Sequence, residues 1–286
     1  MSLEFIKPQL ASAVDQPPPR AGWIHEVKHD GYRTLLIIER RKARAYTRNG
    51  FDWTERYPSI TKVAAKLGCR STIIDGEVIF QDKRGVSDFE ALKSAIRWTP
   101  QRLVFYTFDL LYLTGKNLRD RPLLERRAKL KEFIPTEQPF LFSEEFTGDA
   151  AAFFQTCANH QLEGIVSKLA SSKYRSGRSK TWLKTKCFTE SSLLIIGTGR
   201  DRKTKAPLAL LARADQQGLS YAGSAFIALS GAERNELSAR LQTSRLCPIP
   251  RLRIPDAQWV HPQLMARVRH LVGSKYLRHG TLRGIR

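Results

Sequence analysis

Long apolar runs are missing from this 286-residue chain. No stretch approaches the roughly 18 apolar residues that cross a bilayer, and no strongly basic amphipathic helix stands out to lie on one. The opening MSLEFIKPQL has neither an apolar core nor a small-residue cleavage site, so it does not read as a secretory signal. Cysteine is sparse. Cys69, Cys157, Cys187 and Cys247 stand far apart, with no Cys-x-x-Cys pair and no His at metal spacing. That argues against a disulfide framework and a structural zinc site, and fits reduced thiols. A GxxxxGK[ST] loop is absent, which removes the P-loop ATPases. Acidic residues are also few: 27 Asp+Glu face 48 Lys+Arg, a net charge of +21. Such an excess asks for a polyanion, and nucleic acid leads because every neutralised phosphate adds affinity. The 42% hydrophobic content can still fill the core of one large domain or two ordinary ones.

Residues 1–20 read as extended, and Pro17-Pro18-Pro19 as a stiff lead-in. Short β-rich runs follow at 23–28, 34–39, 43–47, 72–80 and 103–108, with turns at Asp30-Gly31, Asn49-Gly50 and Asp75-Gly76. Helical periodicity covers 57–67, 87–97, 121–133 and 149–160. Strands mixed irregularly with helices predict an α+β fold with antiparallel sheets, not a Rossmann alternation. The character changes near 188–192. Beyond it, LLIIGTGR, PLALLARAD and GLSYAGSAF read as three strands, followed by a helix over 230–241, which suits a small β-barrel. The first 187 residues carry 32 basic and 21 acidic residues (+11), and the remaining 99 carry 16 and 6 (+10). The second part is thus nearly twice as basic per residue, as a nucleic-acid clamp would be.

Six short constellations concentrate polar chemistry. In Lys28-His29-Asp30-Gly31-Tyr32-Arg33, a lysine at a strand end could project into a cleft as a nucleophile, or the charges could cap a solvated hairpin. Thr47-Arg48-Asn49-Gly50 sets an arginine before an Asn-Gly turn, usually no more than a turn flank. Asp75 and Glu77 interrupt an apolar strand and share one face, where charge is costly unless paired or functional. Phe108, in Tyr106-Thr107-Phe108-Asp109-Leu110-Leu111, is a core position or a stacking platform for a base. Glu163, before Gly164-Ile165-Val166-Ser167-Lys168, suits a hard divalent cation or a solvated strand end. The run Lys173 to Lys186, KYRSGRSKTWLKTK, holds six basic residues and no acid. There Lys184 and Lys186 share a strand face and could converge on a phosphate.

The order and spacing of these six resemble the motifs of covalent nucleotidyltransferases, specifically ATP-dependent DNA ligases. KHDGYR is similar to the nucleotidyl-lysine motif; TRNG, DGE, FDLL, EGIVSK and WLKTK resemble those that follow it. FIKPQLA, WVHPQLMARV and LRHGTLRGIR add a likeness to the ligase module of bacterial end-joining ligases. The resemblance implies a nucleotidyltransferase domain over 1–188, ATP-grasp-like with antiparallel sheets and helices, and an OB-fold barrel over 189–286. It implies that Lys28 attacks the α-phosphate of ATP and carries AMP, with Asp30, Lys184 and Lys186 in the catalytic set. Glu26 would accept from the adenine amino group and Phe108 would stack on the ring. Arg33, Arg48 and Glu77 would contact ribose, phosphate or the DNA end. Glu163 and Glu77 would help bind Mg²⁺ or Mn²⁺, and Lys173, Arg175, Arg178 and Lys180 would join Arg33 and Arg48 on DNA. The substrate implied is nicked duplex DNA, with a Ku-like end-binding protein as partner. The setting implied is a bacterial cytoplasm, nucleoid-associated, for a monomer with no membrane role.

Two departures accompany the likeness. Gly273-Ser274-Lys275-Tyr276 stands where the family has an acidic-aromatic step. Arg286 takes the place of the arginine in an Arg-x-Asp-Lys element that orients pyrophosphate, and the Asp and Lys do not follow. Either that element is cut short or self-adenylation runs differently. An RNA ligase, a capping-type enzyme and a catalytically impaired DNA-binding protein are the alternatives.

Overall fold

The computed structural model describes residues 3–19, 21–135, 137–273 and 276–286. Ser274 and Lys275 of the departing step lie outside them. The chain divides into two compact units, Met1–Cys187 and Phe188–Arg286.

The first unit runs β1 (Gln9–Ala13), β2 (Trp23–Val27), β3 (Tyr32–Glu39), β4 (Lys42–Thr47), α1 (Pro58–Ala64), β5 (Ser71–Phe80), α2 (Phe89–Trp98), β6 (Leu103–Leu113) and β7 (Lys116–Asn117). It continues through α3 (Leu123–Phe133), β8 (Phe140–Phe142), β9 (Glu145–Phe146), α4 (Ala150–Asn159), β10 (Gly164–Leu169) and β11 (Gly177–Lys186). One sheet has the order β1-β11-β10-β2-β9, and the other β4-β3-β5-β6-β7 with β8 beside β6.

The apolar run of β3 explains how these layers stack. Its side chains alternate between two cores, so no position can be polar. Leu36 and Ile38 pack with Ile60 and Ala64 of α1 and Leu92 and Ala95 of α2. Leu35 and Ile37 pack with Ile24 of β2, Phe108 and Leu111 of β6 and Trp182 of β11. The second core therefore lies between the two sheets.

The helices follow the expected windows, trimmed by one to three residues at most ends, and α2 runs one residue past its window to Trp98. α2 is capped by Asp88, whose carboxylate accepts from Ala91 N–H. The expectation of purely antiparallel sheets needs correction. β1 runs parallel to β11, and β6 parallel to β8. The segment expected only as extended chain thus supplies an edge strand, and more than 160 residues separate Ala13 from its partner Lys184. A connection of that length permits the parallel sense.

The second unit comprises β12 (Phe188–Arg200), β13 (Pro207–Asp215), β14 (Gly218–Ile227), α5 (Gly231–Arg240), β15 (Gln258–Trp259), β16 (Met265–Leu271) and β17 (Gly280–Ile285). Five strands close in the order β12-β13-β14-β17-β16 and back to β12, because β12 pairs with β16 through its first half and with β13 through its second. Leu193, Ile195, Leu211, Val268 and Leu282 fill the interior with Leu237 of α5. A Ser230 and Glu233 capping box starts α5. β16 and β17 went unread in the sequence; Arg267, Arg269 and Arg283 take the outward positions between buried Ala266, Val268 and Leu282, which leaves each strand only a short apolar face.

Arg126 of α3 and Asp109 of β6 form a fully buried bidentate pair at 2.7 and 2.8 Å. Removing one partner strands the other charge, so Asp109→Ala should lower unfolding stability by about 3–5 kcal/mol. Lys131→Ala, at an exposed pair with Glu144, should cost less than about 1 kcal/mol. Denaturant unfolding compares the two.

Candidate active site

Three adjacent strands, β2, β10 and β11, build one wall of the site. Their registers place Ile24 beside Lys168 beside Trp182, and Glu26 beside Val166 beside Lys184. Cross-strand partners share a face, and strand alternation carries that face on to Lys28 and Lys186. The wall therefore grades from apolar (Ile24, Trp182) to strongly cationic. The opposite sheet contributes Arg33, Glu77 and Phe108. Between them is a cavity of about 220 Å³, lined by Glu26, Lys28, Arg33, Arg48, Glu77, Phe108, Arg178 and Lys184 among the expected residues.

Two glycines let this wall form. Gly164 has φ +146°, and a Cβ there would meet Thr185 O at 2.1 Å. The close approach of β10 to β11 sets Glu163 beside Lys186. Gly164 O also accepts from Lys28 N–H at 2.8 Å, extending the β2–β10 ladder. At Gly31 a Cβ would meet Val78 O at 2.2 Å, so the chain can turn from Lys28 into β3 only without a side chain.

Lys28 Nζ lies 2.6 Å from Glu163 Oε2, and Lys186 Nζ lies 3.6 Å from Glu163 Oε1. Burial lowers the Lys186 pKa, with Glu163 opposing and Lys28 adding to the shift. Lys184 is lowered by burial and then by Lys186, Lys28, Arg178 and Arg48. These cations are close enough to repel one another, which makes an anion between them favourable. Burial pushes Glu77 up to about 7 against the pull of Lys28 and Arg33. His29 is held neutral, lowered to about 3 by burial and then by Lys28 and Lys168, and its ring stacks on Tyr106 at 3.8 Å.

Several of the expected residues already have partners within the protein. Arg33 lines the cavity, but its Nε and Nη2 donate to Asp75 at 2.5 and 2.7 Å and Nη2 also donates to Gln9 O. Asp75 is fully buried and needs that cation, so only Nη1 of Arg33 is left to reach a ligand. Glu26 is 2% exposed, and its Oε1 is paired with Arg127 at 2.8 Å and Lys168 at 2.6 Å. Phe108 is not an open platform: Lys168 Nζ and the Arg33 guanidinium lie 4.2 and 4.4 Å from its ring centroid. Asp30 is not among the lining residues; its N–H donates to Ser87 Oγ. Lys173, Arg175 and Lys180 are exposed outside the cavity, and Arg175 pairs with Asp120 at 2.8 Å.

Lys168, Trp182 and Arg127 were missed as site residues. Lys168 is 2% exposed, lines the cavity, and is lowered to about 8 by burial. Its place on the Glu26 face was legible from alternation once β10 is aligned with β2. Arg127 donates to Glu26, Glu145, Phe108 O and Ser143 O. In sequence it is an arginine at helical spacing from Leu123 and Leu130, which gives its face but no partner.

A raised carboxyl binds its proton more tightly folded than unfolded. Its stability contribution is full below the unfolded value and is lost as pH rises toward 7. Glu77→Gln should therefore raise Tm relative to wild type at pH 8 and gain little at pH 4.5, read by thermal melts at both.

Comparison with known proteins matches this arrangement to a family. The family model "ATP dependent DNA ligase domain" covers residues 8–186. The multifunctional non-homologous end joining protein LigD of Pseudomonas aeruginosa is 34% identical over 299 residues, spanning 99% of this chain and 36% of that protein. The chain thus spans about a third of the length of such relatives. The DNA ligase-like protein LigB of a Bacillus subtilis prophage is 32% identical over 204 residues, 70% of this chain and 74% of that one. Among solved structures, the ligase domain of Mycobacterium tuberculosis LigD has a TM-score of 0.61 at 29% identity, covering 98% of this chain and 94% of that one. A mycobacterial DNA ligase D complexed with ATP and MES has a TM-score of 0.63 at 30% identity, covering 99% and 96%. On the family match over the whole sheet-and-cavity unit, this chain belongs to the ATP-dependent DNA ligases.

Proposed function

We propose that the chain seals nicks between a 3′-hydroxyl and a 5′-phosphate in duplex DNA, through AMP carried on Lys28. The observation that carries this reading is the position of Lys28: at the end of β2, on a cationic wall, beside a cavity closed by Phe108 and Trp182. The cavity suits a nucleotide. Its deep end offers an acceptor-only carboxylate, Glu26, for an amino group, and aromatic faces for a base. Lys168 occupies the space over Phe108, so a base entering there displaces its ammonium while the Glu26 carboxylate stays paired with Arg127.

The chemistry follows from the mouth of the cavity. Lys28 must lose a proton before its amine can attack, and Glu163 Oε2 at 2.6 Å is the acceptor in reach. The amine attacks the α-phosphorus of ATP, an N–P bond forms, and the bond to pyrophosphate breaks. Lys184 and Lys186 hold the α-phosphate oxygens, where negative charge gathers. Arg48, at the head of the tight turn Thr47–Gly50, supplies a further cation. A DNA 5′-phosphate oxygen then attacks the same phosphorus and releases Lys28. The 3′-hydroxyl finally attacks the DNA phosphate, and AMP leaves.

Glu77 and Glu163 are the carboxylates beside Lys28. Among the described residues no group of three His, Cys, Asp or Glu could hold a metal. That donor set fits Mg²⁺ or Mn²⁺ bound chiefly through substrate phosphates, with one or two carboxylates completing the shell. The ion would neutralise phosphate charge.

The second unit supports an OB-type role. Its closed five-stranded barrel carries a helix between the third and fourth barrel strands, and its charge of +10 suits gripping a nucleic-acid backbone. Likeness to end-joining LigD proteins supports broken DNA ends as the setting and a Ku-like end binder as partner.

Lys28→Ala should abolish labelling of the protein by α-labelled ATP, keep duplex binding within a few-fold, and still seal nicks that are already adenylated. Label persisting on that variant would assign the nucleophile elsewhere. Duplex binding should weaken steeply with added salt; an affinity unchanged between about 50 and 200 mM salt, a range over which phosphate-driven affinity falls by roughly orders of magnitude, would contradict the charge argument.

A further inference from the structure

The β3–β4 hairpin turns through Arg40 and Arg41, and both have positive φ, 49° and 63°. Glu39 pairs with Lys42 across them. A two-residue loop with both φ positive is the turn that selects Asn-Gly, because a Cβ there crowds the backbone. This chain places two long cations at those positions instead. Arg40 N–H donates to Arg70 O at 3.1 Å, which anchors the turn against the segment before β5.

Beside the turn is a groove of about 880 Å³, lined by Arg40, Lys42, Arg44 and Lys62 with Glu39 and Glu55. Arg44 approaches Glu39 at 3.9 Å. Around the groove four cations, Arg40, Lys42, Arg44 and Lys62, face two carboxylates, and Arg41 adds a fifth cation at the turn. A merely solvated face has no need of cations where Asn-Gly is the more stable choice, and such an outlier points to function. The hairpin is at the far end of β3 from Arg33, seven residues or about 23 Å away at ~3.3 Å per residue. It is therefore separate from the nucleotide cavity.

We infer that this hairpin and groove form a second nucleic-acid contact, which grips backbone phosphates of the duplex arm away from the nick. Guanidinium forks match phosphate oxygens, and several cations lining one groove match a row of them. The inference rests on the nick-sealing reading.

Two double variants test it. Arg40→Asn with Arg41→Gly should melt higher than wild type, because the turn relaxes, yet bind a long-armed nicked duplex more weakly. Its plot of log affinity against log salt should be shallower by about 2, one for each lost phosphate contact. Lys42→Gln with Lys62→Gln should flatten the salt plot by a similar amount without the gain in Tm. Self-adenylation by ATP should match wild type in both. Unchanged affinity and unchanged salt slope in both variants overturn the inference. Failure of the wild-type protein itself to bind nicked duplex would instead count against the nick-sealing reading.

Discussion

Buried carboxylates that must each find a cation organise the first unit. Asp75, Asp109 and Glu26 are all essentially without solvent, and a stranded charge at any of them would cost several kcal/mol. Each takes its partner from an element other than its own. Asp109 of β6 takes Arg126 of α3, whose guanidinium also donates to Ser172 O before β11. Asp75 of β5 takes Arg33 of β3 and the Tyr174 hydroxyl at 2.6 Å. Glu26 of β2 takes Arg127 of α3, which also donates to Phe108 O. These links tie one sheet to the other on both sides of the cavity, so the walls are in place before any nucleotide arrives. Preorganised charge of this kind is worth more in a water-poor site than the same groups in water.

The same constraint sorts the site residues into two kinds. Arg33 and Glu26 are mostly committed to the protein and define shape and polarity. Lys28, Lys184, Lys186 and Arg48 are held near one another with little carboxylate to balance them beyond Glu163. The first kind explains why the cavity persists; the second explains why a polyphosphate would enter it. Glu77, raised by burial, marks the boundary between them.

Much of the site was legible because its residues repeat at a period of two on short strands. Glu26 and Lys28, and Lys184 and Lys186, share a face by alternation alone, and the structure aligns those faces. The apolar run of β3 was equally plain. What escaped the sequence depends on partners far along the chain. β1 becomes a strand only because β11 offers it an edge, and its own residues are unremarkable. Arg127 falls at helical spacing from Leu123 and Leu130, but nothing local reveals that Glu26 waits beneath it, or Asp109 beneath Arg126. Lys168 looked like the last residue of a motif, and its burial follows from the rings of Phe108 and Trp182. The Arg40-Arg41 turn was hidden because turn chemistry is read from Asn and Gly, and this turn has neither.

The central claim is that Lys28, and no other lysine of the cationic wall, receives AMP. Peptide mapping by mass spectrometry of the wild-type protein after incubation with ATP and Mg²⁺ tests it most directly. The account predicts a single AMP adduct on the peptide containing Lys28, removed by excess pyrophosphate. An adduct on Lys184, Lys186 or Lys168, or sealing of nicked DNA with no adduct on Lys28 at any time, would contradict it.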